Sequence, residues 1–173
     1  MIMKATATKT ERLVMTALMM SLILIGTVVI RIPIPLTQGY VHVGDALIYV
    51  AVLTLGKKHG AFAAGAGSAL ADILGGFAMW APWTFAIKAL MALIAGIFIE
   101  HAAEHSDKRK VRAAALTGMI LGGLEMTAGY FIAEGIMYGN WPVAMLGIPW
   151  NIGQFAVGIV IAGMIYEGIS KIR

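Results

Sequence analysis

No cysteine occurs among the 173 residues, which excludes disulfides, thiolate catalysis and Cys-ligated zinc or iron–sulfur sites. Charge is also scarce: 13% of the residues are Asp, Glu, Lys or Arg, where a soluble domain carries roughly 25%. Apolar residues make up 60%, more than one water-soluble core of this length could hide. A soluble enzyme and a disordered chain are both excluded on those grounds. There is no GxxxxGK[ST] phosphate loop, so the chain lacks the usual machinery for hydrolysing ATP. No Ser/His/Asp or paired-carboxylate set stands in a water-accessible catalytic context. The expectation is a membrane protein that is not an enzyme, with no cofactor and no nucleic-acid partner.

What the chain has is apolar runs. A spanning helix needs about 20 mostly apolar residues, and six candidates follow one another at about 13–30, 44–56, 59–74, 82–99, 113–132 and 146–169. The first has a basic start, as a secretory signal does. Its apolar stretch is longer than a typical signal core, and Arg31-Ile32-Pro33-Ile34-Pro35 follows without a small-residue cleavage pattern. It is therefore expected to remain as a span. The connections are short, so residues 1–173 are expected to form one integral membrane domain: an all-α bundle of six transmembrane helices.

The basic residues orient that bundle. With the N-terminus inside, Lys4, Lys9, Arg12, Lys57, Lys58, Lys108, Arg109, Lys110, Arg112, Lys171 and Arg173 all fall on the cytoplasmic side. That leaves Arg31 and Lys88 of the 13 Lys and Arg, the bias expected of an even number of spans with both termini cytoplasmic. Trp80, Trp83, Trp141 and Trp150 fall in or beside the outward loops, as belt anchors or as the wall of an external pocket.

Charges inside spans are costly and point to function by default. Asp72 stands about 20 Å along the outward-running third span, Lys88 about 9 Å into the fourth and Glu125 about 18 Å along the fifth, at 1.5 Å per residue. Asp45 at the start of the second span and Asn151 and Gln154 near the start of the sixth join the same outer layer. One reading is structural: Lys88 pairs with Asp72 or Glu125 to neutralise buried charge. The other is a pocket open to the outside, with Trp83, Tyr130 and Trp150 as stacking surface for a ring. Metal binding is not expected. His101 and His105 with Glu104 have ligand spacing but lie in a charge run that reads as solvated, and the twelve Met read as packing residues. Small-xxx-small spacings at Ala17 to Ser21, Ala61 to Gly65, Ala92 to Gly96 and Gly118 to Gly122 allow close helix approach, chiefly within the bundle.

Three segments carry a resemblance: His42-Val43-Gly44-Asp45-Ala46, Gly65-Ala66-Gly67-Ser68-Ala69-Leu70-Ala71-Asp72, and Ala81-Pro82-Trp83-Thr84-Phe85-Ala86-Ile87-Lys88-Ala89-Leu90-Met91. With the six spans, the chain resembles the substrate-binding S components of energy-coupling factor (ECF) vitamin transporters, of the riboflavin-transporter type. Ala89 stands where many relatives are expected to have glycine. The resemblance implies a multi-pass protein of a prokaryotic plasma membrane that captures a vitamin or precursor from outside. A pyridoxine-type vitamin, hydroxymethylpyrimidine or a corrinoid such as cobalamin all remain open. It implies assembly with a transmembrane coupling protein and two ATP-binding subunits. It also implies docking through the Ala17–Ser21 face and a gate over the pocket in the loop holding Pro33, Pro35 and His42, which the proline rings stiffen. Two other classes stay open: an autonomous proton-coupled carrier using Asp72 and Glu125, and a purely structural subunit without a ligand.

Overall fold

The computed structural model describes residues 8–34, 40–102 and 107–171, without the side chains of residues 108 and 169–171. Pro35, Lys4, Glu104, His105 and Arg173 lie outside the described residues. The chain runs α1 (Lys9–Val29), β1 (Arg31–Pro33), β2 (Tyr40–His42), α2 (Gly44–Leu74), α3 (Ala81–Ala102), α4 (Lys108–Tyr138), α5 (Trp141–Met145) and α6 (Gly147–Lys171). Each boundary has a local cause. Thr8 and Glu11 form a capping box at the start of α1, satisfying two of the backbone donors that a helix start leaves free. Asp107 caps α4, and Gly139 ends it in the left-handed conformation, φ 64°, which glycine adopts without a Cβ penalty.

Among the described residues four helices are long and apolar enough to cross a membrane: Lys9–Val29, Ala81–Ala102, Arg109–Tyr138 and Trp141–Gly168. The sequence expectation of separate spans at 44–56 and 59–74 falls within α2, which is interrupted at Gly56 with φ 80° and ψ 178°. The chain folds back on itself there. In an unbroken helix Asp45 and Asp72 would stand about 40 Å apart, yet Asp45 bonds Lys88 and Asp72 neighbours Thr84, one turn away on α3. A Cβ placed on Gly60 would likewise lie 2.9 Å from the Val52 backbone. Glu100 fixes the reversal by accepting from the Lys57 N–H at 2.8 Å and pairing with the Lys57 ammonium at 3.0 Å.

The two arms of α2 form the centre, packed against α1, α3 and α6, with α4 closing the bundle between α3 and α6. The expected small-residue contacts are used inside the bundle. A Cβ on Gly65 would meet the Phe85 carbonyl of α3 at 2.8 Å, and one on Gly122 would meet the Met91 carbonyl at 2.5 Å. Helix α4 extends three residues past Gly135, which the sequence had suggested was loop. The tract 141–145, also expected as loop, forms α5 with Pro142 in its first turn. There the missing N–H costs nothing. Between α1 and α2, strands β1 and β2 pair antiparallel, with Arg31 opposite His42 and Pro33 opposite Tyr40. The tract around Pro33 is therefore a short hairpin.

A buried ion pair crosses the core. Lys88 of α3 is fully buried and donates to Asp45 of α2, also fully buried, and to Met126 Sδ of α4 at 2.8 Å. The partners expected for Lys88 were Asp72 or Glu125. Asp45 takes that place because the hairpin brings the first turn of α2 over the middle of α3. Removing one member of a buried pair strands the other's charge, at a cost of about 3–5 kcal/mol, whereas an apolar pair of similar volume is tolerated. Lys88→Met should therefore lower the thermal midpoint of the purified protein sharply. Asp45→Leu combined with Lys88→Met should recover most of the loss. Equal midpoints for the single and double variants would show that the pair does not hold the helices together.

Candidate functional site

The polar residues gather at one end of the bundle. At the other end lie the Gly56 reversal and the starts of α1 and α4, with Lys9, Arg12, Lys57, Lys58, Arg109, Lys110 and Arg112. There Lys9, Arg12 and His59 line one shallow recess, and Arg112 stands 3.9 Å from Glu167 of α6. Among the described residues Arg31 is the basic side chain at the opposite, hairpin end.

A cavity opens at the hairpin end, with about 490 Å³ of empty space including its mouth. Helices α1 and α2 supply Thr27, Ser68 and Asp72 to one wall. Helices α3 and α4 supply Thr84, Tyr130 and Glu134, with Trp80 just before α3. Helix α6 adds Asn151 and Gln154, and the hairpin covers them with Ile34, Tyr40 and His42. Rings and hydrogen-bonding groups together give the mixed lining expected of a small-molecule site.

Several of these groups are tied to each other. Tyr40 donates its hydroxyl hydrogen to Asp72 Oδ1. Burial first, and then that bond, push the Tyr40 phenol above its usual range. Gln154 accepts from the His42 N–H at 2.8 Å and donates to Asp45 Oδ2 at 2.9 Å, so one amide joins the hairpin to the buried Lys88–Asp45 pair. The His42 ring accepts from the Gly44 N–H through Nδ1 at 3.0 Å. Burial, then the Lys88 ammonium, hold His42 down at about 3, so its ring is neutral at pH 7. Arg31 is bound outside the cavity. It donates to the Ala71 carbonyl at 3.0 Å and lies over the rings of Tyr40 at 4.7 Å and Phe77 at 5.8 Å.

Other groups have no partner among the described residues. Thr27 Oγ1, Ser68 Oγ and Asp72 Oδ2 are buried without a hydrogen bond, although Thr84 stands beside Asp72. Buried polar atoms are rarely left so. All three residues line the same cavity.

The structure brings together Asp72, Tyr130, Asn151, Gln154 and His42 of the residues singled out in the sequence. Asp45 and Lys88 lie beneath the cavity as its paired floor and do not line it. Glu125 has one buried oxygen without a partner but stands outside the lining, as do the half-buried Trp83 and the exposed Trp150. Pro33 lies in the hairpin. Ala17 and Ser21 are exposed on α1, where Ser21 donates back to the Ala17 carbonyl at 3.0 Å. The residues missed were Glu134, Trp80, Tyr40, Thr27, Ser68 and Thr84. Glu134 had a readable signal: it sits four residues after Tyr130 and seven after Thr127, on one helical face, once α4 is extended past 132.

A family model described as ECF-type riboflavin transporter, S component, matches residues 7–171. A protein from Pyrococcus woesei, described as an uncharacterized protein in gap 3'region, is 36% identical over 140 residues, covering 80% of this chain and 88% of its own. The thiamine precursor transporter HmpT of Lactococcus lactis subsp. cremoris (strain MG1363) is 31% identical over 140 residues, covering 80% of this chain and 75% of its own. A solved structure of the S component of a bacterial ECF transporter superposes with a TM-score of 0.71 over 95% of this chain and 98% of that one, at 19% identity, which shows a shared fold. Family model, relative and fold agree, and the chain belongs to the family of ECF-type riboflavin transporter S components.

Proposed function

We propose that the chain captures a small vitamin or vitamin precursor in the hairpin-end cavity and delivers it to an ATP-driven ECF module. One observation carries the reading: the unpartnered Thr27, Ser68 and Asp72 oxygens face a ring-lined cavity. A ligand ring stacks on Trp80 and Tyr130 while its exocyclic donors reach those oxygens. The family description names riboflavin and the HmpT relative is a thiamine precursor transporter, so membership gives the class of activity and leaves the substrate to the cavity. Its mixed lining of rings and hydrogen-bonding groups suits one substituted ring, such as hydroxymethylpyrimidine or a pyridoxine-type vitamin. The HmpT relative favours a thiamine precursor.

Topology follows from the same reading. The two arms of α2 cross with α1, α3, α4 and α6, making six crossings. The basic end faces the cytoplasm of a prokaryotic cell and the cavity faces outward under its hairpin gate. The exposed Ala17 and Ser21 face on α1 receives the transmembrane coupling protein, which works with two ATP-binding subunits. An autonomous proton-coupled carrier is the rival; it would import substrate without those partners and stop when the proton gradient collapses.

The purified protein is expected to retain a single-ring compound detectable by mass spectrometry. Adding that compound should raise the thermal midpoint, because a ligand that binds only the folded state stabilises it. Asp72→Ala, checked for folding by its elution profile, should weaken binding about tenfold or more through loss of a charged acceptor. Unchanged affinity in the folded variant would remove Asp72 from the site. Ala17→Trp should leave ligand affinity intact and abolish co-purification with the coupling protein. Normal co-purification would move the docking face elsewhere.

A further inference from the structure

The cavity has an unbalanced charge. Among the described residues two carboxyl groups line it, Asp72 on α2 and Glu134 on α4, and no Lys or Arg does. Each nearby cation is committed elsewhere. Lys88 is sealed beneath the floor by Asp45 and Met126. Arg31 is held on the outside by the Ala71 carbonyl and the Tyr40 ring. His42 is uncharged, with its Nδ1 occupied by the Gly44 N–H.

Glu134 sits beside a helix start rather than beside a cation. Its Oε2 lies 3.2 Å from where a Cβ on Gly147 would be. That is the first residue of α6, a 25-residue helix, whose free N–H groups and positive dipole end favour a carboxylate. The start of α6 is thus the neighbour that the Glu134 carboxyl group meets on this side.

We propose that Asp72 and Glu134 together select ligands by charge: the cavity accepts an uncharged or cationic nitrogen heterocycle bearing N–H and O–H donors, and rejects the phosphorylated or carboxylated forms of the same compound. Glu134 is the specificity-determining residue from the α4 side. This rests on the cavity being the capture site. Its physical content is separate. A phosphate brought between two carboxylates in a poorly screened recess meets like charge from two sides and finds no cation to receive it. A ring amine and a hydroxymethyl group instead give their hydrogens to the oxygens that are now unpartnered. The consequence for metabolism is one of order: any kinase that phosphorylates this compound must act after uptake.

The test is equilibrium binding to the purified full chain of two pairs, hydroxymethylpyrimidine with its phosphate monoester and pyridoxine with its 5'-phosphate. The parent of at least one pair should bind, and its phosphate should bind about 100-fold or more weakly. Glu134→Gln preserves size and removes charge, so it should narrow that ratio by about tenfold. Asp72→Asn is the second variant, should Glu134→Gln fail to fold. Phosphate binding as tight as the parent overturns the charge filter while leaving vitamin capture in place. So does a ratio unchanged in both folded variants, which would mark the discrimination as one of size. If none of the four compounds binds, the charge inference falls. If in addition no retained molecule is found, the capture reading falls separately.

Discussion

Lys88 has no exposed surface, and an ammonium ion placed among Ile, Met and Ala side chains is tolerable only where a counter-charge reaches it. Asp45 is that counter-charge, and most of the cavity's geometry follows from bringing the two together. For Asp45 to reach α3, the chain must leave α1, turn through the β1–β2 hairpin and begin α2 over the middle of the bundle. For the rest of α2 to return to the same end with Ser68 and Asp72, the helix must reverse, which Gly56 allows through its positive φ. Gln154 then links the second oxygen of Asp45 to the backbone of His42. The hairpin roof is thereby tied to the charge pair under the floor. The pair contributes position more than net stability, since buried ion pairs seldom outdo an apolar replacement.

Above that floor the logic reverses. Lys88 and Asp45 satisfy each other, while Thr27, Ser68 and Asp72 retain unmet bonding capacity and Glu134 stands beside the start of α6. Fully satisfied polar networks make structure, and partly satisfied ones in a cavity make binding sites. The same bundle contains both kinds within a few turns of α2 and α3. In the proposed reading, ligand recognition falls to the residues with free atoms and rigidity to those without.

Composition alone made the membrane class legible, since apolar runs and the clustering of Lys and Arg survive any error in helix boundaries. The collection of polar side chains at one depth was also legible, because helical rise converts sequence position to height. Pairing was not. Lys88 faces Asp45, Asp72 and Glu125 at similar heights, and rotation about each helix axis decides which it meets; the hydrophobic pattern of helices buried on several sides leaves that rotation undetermined. The same uncertainty put Trp83 and Trp150 among the candidate ring platforms while Trp80 and Tyr130 line the cavity. Glu134 was lost for a different reason. A glycine pair at Gly135 and Gly139 suggested that the helix had ended, yet packing carries α4 through Gly135 and stops it at Gly139, where the left-handed conformation is used. Thr27 and Ser68 carry no charge to draw attention, and their importance comes from having no partner after folding.

Membership in the S component family supplies the general activity, and the arrangement of side chains supplies what is particular to this chain. A high-resolution structure of the protein with its retained compound bound tests the account most directly. The account predicts a ring against Trp80 and Tyr130, with a ligand donor within hydrogen-bond distance of Asp72 Oδ2 and the Lys88–Asp45 pair intact beneath it. A ligand bound at the basic end, or one contacting Lys88 after that pair had opened, would contradict it.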